Sequence, residues 1–250
     1  MSGASVLRSS WLGRVDYLDG WRLQEAVATR VRAGADERLL LLEHDPVYTI
    51  GRRGTTDHLL AGLDELRSAG ASAYRVDRGG DITYHGPGQL VGYPVVRLGD
   101  APDLVSYVRA IESALIDTLA SYRVFARAER GKTGVWVALP DSGLPAKIAA
   151  IGVRVSRGVT THGFALNVRT NLAAFERMIP CGFAHEVASL ERLGVSAQTQ
   201  EVAGRTAVAL ADRLGRALTW SSIDPARDDE IAADSPVRSA IDLSREAVAV

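Results

Sequence analysis

Two reactive residue types are rare in this 250-residue sequence: cysteine occurs once, as Cys181, and lysine twice, as Lys132 and Lys147. Cys181 lies in the stretch Met178-Ile179-Pro180-Cys181-Gly182-Phe183. With no second thiol to pair with, three roles are open to it: packing, metal ligation or reactivity. Pro180 has no N–H and fixes its own φ, and Gly182 lets the chain turn tightly, so the thiol is presented on a bend. A small buried hydrophobe is the ordinary alternative for a free cysteine. Lys147 stands among small and apolar residues in Pro145-Ala146-Lys147-Ile148-Ala149-Ala150-Ile151-Gly152. Arginine supplies nearly all the positive charge of this chain. A lysine kept here suits a group whose pKa must shift, which arginine cannot provide. A lysine snorkelling at the start of a strand is the plain alternative.

A second group of candidates is Arg78-Gly79-Gly80-Asp81-Ile82-Thr83-Tyr84-His85-Gly86-Pro87-Gly88-Gln89. Its glycines permit close backbone approach to a ligand, and exposed N–H groups hold a carbonyl or phosphate oxygen. The pattern is neither a Walker A loop nor a dinucleotide fingerprint. A pair of tight hairpins would need the same glycines. A further polar stretch, Thr161-His162-Gly163-Phe164-Ala165-Leu166-Asn167-Val168, reads as a turn entering a strand. Histidines 44, 58, 85, 162 and 185 show no ligand spacing with Cys181, so no metal is expected.

The elements that must carry these residues follow from hydrophobic periodicity. Leu23, Val27 and Val31 predict a helix over Trp21–Ala33, after Asp19-Gly20. Leu39-Leu40-Leu41-Leu42 predicts a strand buried on both faces, within Arg38–Glu43. Val47–Gly51 reads as a strand, and Asp57–Ser68 as a helix stopped by Gly70. Ala73–Asp77, Asp81–Tyr84 and Gln89–Leu98 read as strands between glycine-rich turns. Leu104, Val108, Ile111, Leu115 and Leu119 mark the clearest helix, Asp103–Tyr122. Strand patterns follow at Val124–Ala128, Gly134–Ala138, Ile148–Ser156 and Phe164–Val168, then a helix over Ala197–Leu218. Strands cluster between helices without strict alternation. The expected class is therefore α+β, with a mixed, largely antiparallel sheet flanked by helices in layers.

The length suits one large domain, expected over residues 1–221, with 222–250 a polar tail that wraps the surface or stays partly disordered. Apolar residues make up 46% and charged residues 24%, with a formal net charge of −1. That balance gives no global basic field, so nucleic acid is not an expected partner. No apolar run approaches the ~20 residues that span a bilayer, and the N-terminus carries no basic-then-apolar signal. The expectation is a cytoplasmic protein with no membrane partner.

Taken together, these segments resemble the lipoyl(octanoyl) transferases of lipoate biosynthesis. The resemblance runs from about Leu39 to Leu193. It rests on Gly51-Arg52-Arg53-Gly54 followed by His58-Leu59-Leu60, the Arg78-to-Gln89 loop, Lys147-Ile148-Ala149-Ala150-Ile151-Gly152, His162-Gly163-Phe164-Ala165-Leu166-Asn167 and Ile179-Pro180-Cys181-Gly182. It implies the fold of the biotin and lipoate protein ligases. It further implies transfer of an octanoyl group from acyl carrier protein to a lysine of a lipoyl domain. The acceptors implied are the lipoyl domains of 2-oxoacid dehydrogenase complexes and the glycine cleavage H protein. By matching positions, Cys181 is the nucleophile and Lys147 its partner. Arg78, Gly79, Gly80, Asp81, Ile82, Thr83, Tyr84 and His85 line the acyl site, as do Ala150, Ile151 and Gly152, and Gly163, Phe164 and Ala165. Phe164 departs from the smaller aliphatic residue of many relatives, which leaves the shape of the acyl tunnel open.

The chemistry implied needs no cofactor, because a thioester is already activated and one thiolate replaces another. An ammonium at Lys147 would favour the Cys181 thiolate, and a neutral Lys147 amine would take a proton from the attacking acceptor amine. The two roles want opposite charges, so the pair is expected to titrate as a unit. On side-chain chemistry alone His85 would rank above Lys147 as the base; the resemblance reverses that order. The rival readings are an ATP-dependent lipoate or biotin ligase of the same fold, a cysteine hydrolase with His85 as base, and a non-catalytic acyl carrier. Arg52, Arg53 and Arg78 form a candidate basic mouth for acidic protein substrates.

Overall fold

The computed structural model describes residues 5–179, 186–223 and 241–242. In chain order the first half forms β1 (Val6–Val15), α1 (Tyr17–Arg32), β2 (Glu37–His44), β3 (Val47–Ile50), α2 (Leu63–Ser68), β4 (Ser72–Arg75), β5 (Ile82–His85) and β6 (Gln89–Val95). The second half forms α3 (Leu104–Ala120), β7 (Ala126–Glu129), β8 (Lys132–Ala138), β9 (Pro145–Ser156), β10 (Val159–Asn167), β11 (Glu186–Val187), α4 (Thr199–Leu214), β12 (Ala217–Trp220) and β13 (Ile241–Asp242). Among the described residues the strands make two sheets. The larger runs β12-β1-β2-β6-β10-β9-β8-β7, with β11 added beside β9, and the smaller runs β13-β4-β3-β5. Most neighbours are antiparallel. The parallel pairs are β1 with β2 and β12, β3 with β4, and β9 with β11.

The four leucines of β2 show why the larger sheet sits centrally. Leu39, Leu40, Leu41 and Leu42 are all fully buried. Successive side chains point to opposite faces, so Leu39 and Leu41 join the core under α3 and α4, while Leu40 and Leu42 join the core under α1. Each such burial contributes about 1.5–3 kcal/mol. Helix α1 starts one turn earlier than its apolar stripe predicts. Asp16 caps it, its carboxylate accepting from the Leu18 N–H at 2.8 Å and the Asp19 N–H at 3.3 Å. The smaller sheet covers the rest of that face. Tyr17 and Trp21 of α1 pack with Val47, Tyr74 and Val76.

Several sequence expectations are corrected. Strand β1 was not expected, because its run Arg8-Ser9-Ser10 looks polar. Ser9 and Ser10 are nonetheless buried between β2 and β12. The helix expected over Asp57–Ser68 is a 3-10 turn at Thr56–His58, a bridge from Leu59 to Met178, and then the short α2. On α3 Leu104 is exposed, and Tyr107 takes the inward position with Ile111, Leu115 and Leu119. The last helix stops at Leu214, because Gly215 adopts the left-handed conformation (φ 65°) and its N–H bonds the carbonyls of Ala211 and Asp212. The chain then turns into β12. The stretch around His162 is no turn: it lies within β10. Of residues 222–250, Ile241–Asp242 pairs antiparallel with Tyr74–Arg75.

Candidate active site

The two sheets enclose a cavity of about 1030 Å³, walled by the Arg78-to-His85 segment on one side and by β6, β8, β9 and β10 on the other. Arg78 is buried yet fully engaged. Its Nε and one terminal nitrogen donate to Thr49 Oγ1 at 3.2 and 2.9 Å, that same nitrogen reaches Thr49 O at 2.6 Å, and the other reaches Gly79 O at 3.0 Å. The loop around it is stitched to both sheets. Gly79 N–H donates to Val153 O at 3.1 Å, while the amides of Gly51, Arg52 and Arg53 donate to the carbonyls of Asp81, Arg78 and Gly80. A Cβ on Gly152 would lie 2.9 Å from Gly79 O, so strand and loop touch backbone to backbone. Asp81 ties in a third element, accepting from Ile82 N–H at 2.8 Å and meeting His58 Nδ1 at 2.7 Å.

Within that frame, Arg78, Gly80, Asp81, Ile82, Thr83 and His85 line the cavity. Ala150, Ile151 and Gly152 line it from β9, and Gly163, Phe164 and Ala165 from β10. Two expected residues do not. Gly79 serves the stitch just described. Tyr84 instead packs into the core of the smaller sheet, its ring 5.2 Å from Tyr48 and 5.6 Å from Phe175. Lys147 lines the cavity from β9, half-buried, with Nζ 4.8 Å from the centroid of the Trp136 ring. Cys181, with residues 180–185, lies outside the described residues. The chain on both sides of that segment is fixed at the cavity, before it on the smaller-sheet side and after it on the larger sheet. Met178 lines the cavity and bridges to Leu59, and Val187 lines it while pairing in register with Lys147.

His85 and its neighbours have a determined proton arrangement. Gln89 Nε2 donates to Tyr84 O at 3.1 Å and to Asn167 Oδ1 at 2.9 Å, so its Oε1 accepts from His85 Nδ1–H at 2.8 Å. Asn167 Nδ2 continues the chain to Ala188 O at 3.0 Å, next to Val187. His44 is fixed in the same way. Nδ1–H donates to Val15 O at 2.7 Å, leaving Nε2 to accept from Tyr93 O–H at 2.6 Å. Tyr93 thus lines the cavity with its hydroxyl hydrogen already donated. His162 holds a strained backbone (φ 57°) because two bonds fix it, from its N–H to Gln24 Oε1 at 2.6 Å and from Nε2 to Asp77 Oδ1 at 2.7 Å.

Burial pushes His85 down to about 3 and His44 down to about 4. Both are therefore neutral in the folded protein at pH 7, and His85 is a poor proton acceptor. The consequence for stability has a definite sign. The unfolded chain takes up these protons near pH 6.5, well above the folded values. Their contribution is therefore complete above about pH 6.5 and is lost as pH falls towards 4 and 3. Each histidine is expected to cost about 2 kcal/mol between pH 6.5 and 5. Urea unfolding at those two pH values should show this loss, and His44→Gln should reduce it. A pH-independent midpoint would contradict the assignment.

The sequence reading gave no site role to several other cavity residues. Trp136, Lys132, Thr133, Arg130 and Gly131 come from the β7–β8 hairpin, and Tyr17 from the start of α1. The one available signal was Lys132, as scarce a residue as Lys147. Of the expected basic mouth, Arg53 lines the cavity, Arg52 does not, and Arg78 is turned inward. Among the described residues no three His, Cys, Asp or Glu side chains are grouped to hold a metal ion, and no helix is long and apolar enough to cross a membrane.

Comparison with known proteins agrees with this architecture. Residues 16–211 match the model of the lipoyl protein ligase A/B catalytic domain. An octanoyltransferase of Solibacter usitatus is 50% identical over 196 residues, which is 78% of this chain and 86% of that protein. An octanoyltransferase of Mycolicibacterium gilvum is 46% identical over 216 residues, 85% of this chain and 87% of that one. Among solved structures, a bipartite lipoate protein ligase of Thermoplasma acidophilum superposes with a TM-score of 0.75 over 91% of both chains at 19% identity. A lipoate-protein ligase A bound with ATP gives 0.72 over 91% of this chain and 92% of that one, also at 19% identity.

Proposed function

We propose that this chain, which belongs to the lipoyl protein ligase A/B catalytic-domain family, is the octanoyltransferase of lipoate biosynthesis. It takes the octanoyl group of octanoyl-acyl carrier protein and delivers it to the acceptor lysine of a lipoyl domain. Its relatives carry the name octanoyltransferase at 45–50% identity over most of their length. The acceptors in this reading are the lipoyl domains of 2-oxoacid dehydrogenase complexes and the glycine cleavage H protein.

The reaction has two balanced halves. The Cys181 thiolate attacks the donor carbonyl, the new C–S bond forms, the old one breaks, and the carrier leaves as a thiolate that takes a proton. The acceptor amine then attacks the acyl-enzyme and loses a proton to neutral Lys147, and the Cys181 thiolate departs. The observation that carries this reading is the placing of Lys147 on the cavity wall in register with Val187, where the Cys181-bearing segment rejoins the sheet. His85 is in this reading a positioning residue. Its bond to Gln89 and onward through Asn167 to Ala188 braces that strand from beneath.

The test is transfer to a purified lipoyl domain with ATP withheld. Octanoyl-acyl carrier protein alone should yield octanoyl-lysine on the domain, and Lys147→Arg should not support it. Modification that requires free octanoate and ATP would assign the chain to the ligases instead.

A further inference from the structure

An eight-carbon acyl chain has no charge to match, yet the cavity lining is strongly cationic. Arg53, Arg130 and Lys132 lie exposed on the lining, with Arg78 and Lys147 deeper. Asp81 is the one carboxylate among the described lining residues, and His58 and the Ile82 amide already engage it. Glu129, beside the hairpin turn, pairs with Arg127 at 2.8 Å. The concentration of positive charge is local, since the whole chain has a formal net charge of −1.

The cations sit on braced supports. The Arg130-Gly131 turn joins β7 to β8, and Gly131 supplies its positive φ of 79°. Behind it, Gly134 N–H donates to the buried Glu112 at 3.0 Å, and Arg109 pairs with that same carboxylate. Trp136 Nε1–H donates to Lys132 O at 3.2 Å, and Lys132 Nζ lies 5.4 Å from the centre of the same indole. Arg53 comes from the smaller sheet, on the loop whose Arg53 N–H donates to Gly80 O at 3.1 Å.

We propose that Arg130 and Lys132, joined by Arg53 from the other sheet, bind the phosphate of the pantetheine arm that presents the acyl group. This rests on the reading that the donor is an acyl carrier thioester. Carrier proteins hold acyl groups on a flexible arm with a thioester at one end and a phosphodiester at the other. When the thioester reaches into the cavity, the phosphodiester remains towards its exposed rim. Guanidinium groups there donate to two phosphate oxygens at once, and the Lys132 ammonium adds a point charge. A nucleotide phosphate offers the same chemistry, so the test must separate the two.

Octanoyl-pantetheine and octanoyl-4′-phosphopantetheine differ only in the phosphate. The wild-type protein should acylate Cys181 from the phosphorylated donor about tenfold or more efficiently in kcat/KM. In R130A/K132A the ratio between the two donors should fall to about twofold or less, and R130K/K132R should restore most of it. The ratio is measured within one protein, so partial loss of folded material cancels. Equal use of the two donors by the wild type, or an unchanged ratio in the double variant, would overturn the assignment. Octanoylation from free octanoate that needs ATP and both side chains would assign the site to a nucleotide phosphate and overturn it too. Absence of any adduct from either thioester would sink the transferase reading itself, a result distinct from equal use.

Discussion

Cys181→Ala is expected to lower octanoyl transfer about 10⁴-fold or more in kcat, with the apparent KM for the donor changed much less. In this mechanism the thiolate takes the acyl group from the carrier as a second thioester, which the acceptor amine then opens with Lys147 as base, so its loss removes the covalent route altogether. What remains is direct attack by the acceptor amine on a donor held in the cavity, which positioning alone still accelerates. Losses of this size are ordinary when a covalent nucleophile is removed. Cys181→Ser should do little better, because a serine hydroxyl is a far weaker nucleophile than a thiolate unless a strong base activates it. Steady-state rates with octanoyl-acyl carrier protein and a lipoyl domain measure the effect. A loss of tenfold or less would mean that the acyl group never passes through Cys181.

Lys147→Ala is expected to lower turnover by about 10²–10⁴-fold, the range of a positioned general base. The loss should be divided unequally between the half-reactions. Rapid-quench measurements should show deacylation by the lipoyl-domain amine slowed more than acylation by the donor. Lys147→Arg should fail as badly in deacylation, since a guanidinium remains protonated and cannot accept the amine's proton. The rate of deacylation in the wild type should therefore rise with pH through the pKa of the base, and that limb should vanish in both variants. His85→Gln serves as the contrast. It should cost less than Lys147→Ala, because the imidazole is held neutral by burial at about 3 and acts by bracing Gln89. A His85→Gln loss exceeding that of Lys147→Ala would transfer the role of base to the histidine.

Periodicity made the central elements legible. The four leucines of β2 read as a doubly covered strand because no polar residue interrupts them, and they are fully buried. The stripes of α1 and α3 were legible for the same reason, although Leu104 was placed inward and Tyr107 overlooked. Where tertiary contacts override local pattern, the reading failed. Strand β1 is half polar and gains its identity from parallel neighbours distant in sequence, β2 and β12. Gly215 did carry a stop signal for α4, but the apolar Leu218 beyond it suggested continuation. His162 looked like a turn residue, and its positive φ indeed belongs to turns. Bonds to Gln24 and Asp77 hold it inside a strand instead.

The site was legible to the extent that its parts are contiguous motifs. The Arg78-to-His85 segment and the short runs on β9 and β10 meet around one cavity. The exceptions have simple causes. Packing against Tyr48 and Phe175 holds the Tyr84 ring in the core of the smaller sheet, and the Gly79 backbone is bonded to Val153. The hairpin bearing Arg130 and Lys132 was missed because, apart from the scarcity of Lys132, its residues have ordinary surface character. Only the pairing of β8 with β9, which sets the Nζ of both lysines near the Trp136 ring, brings them to the cavity.

The central claim is that the acyl group is carried covalently by one thiol. It is tested most directly by incubating the protein with octanoyl-acyl carrier protein, without ATP and without acceptor, and mapping the adduct by peptide mass spectrometry. The account predicts a single octanoyl thioester on the Cys181 peptide, removed by hydroxylamine and discharged when a lipoyl domain is added. An unmodified Cys181 while transfer to the lipoyl domain proceeds at its full rate would contradict it.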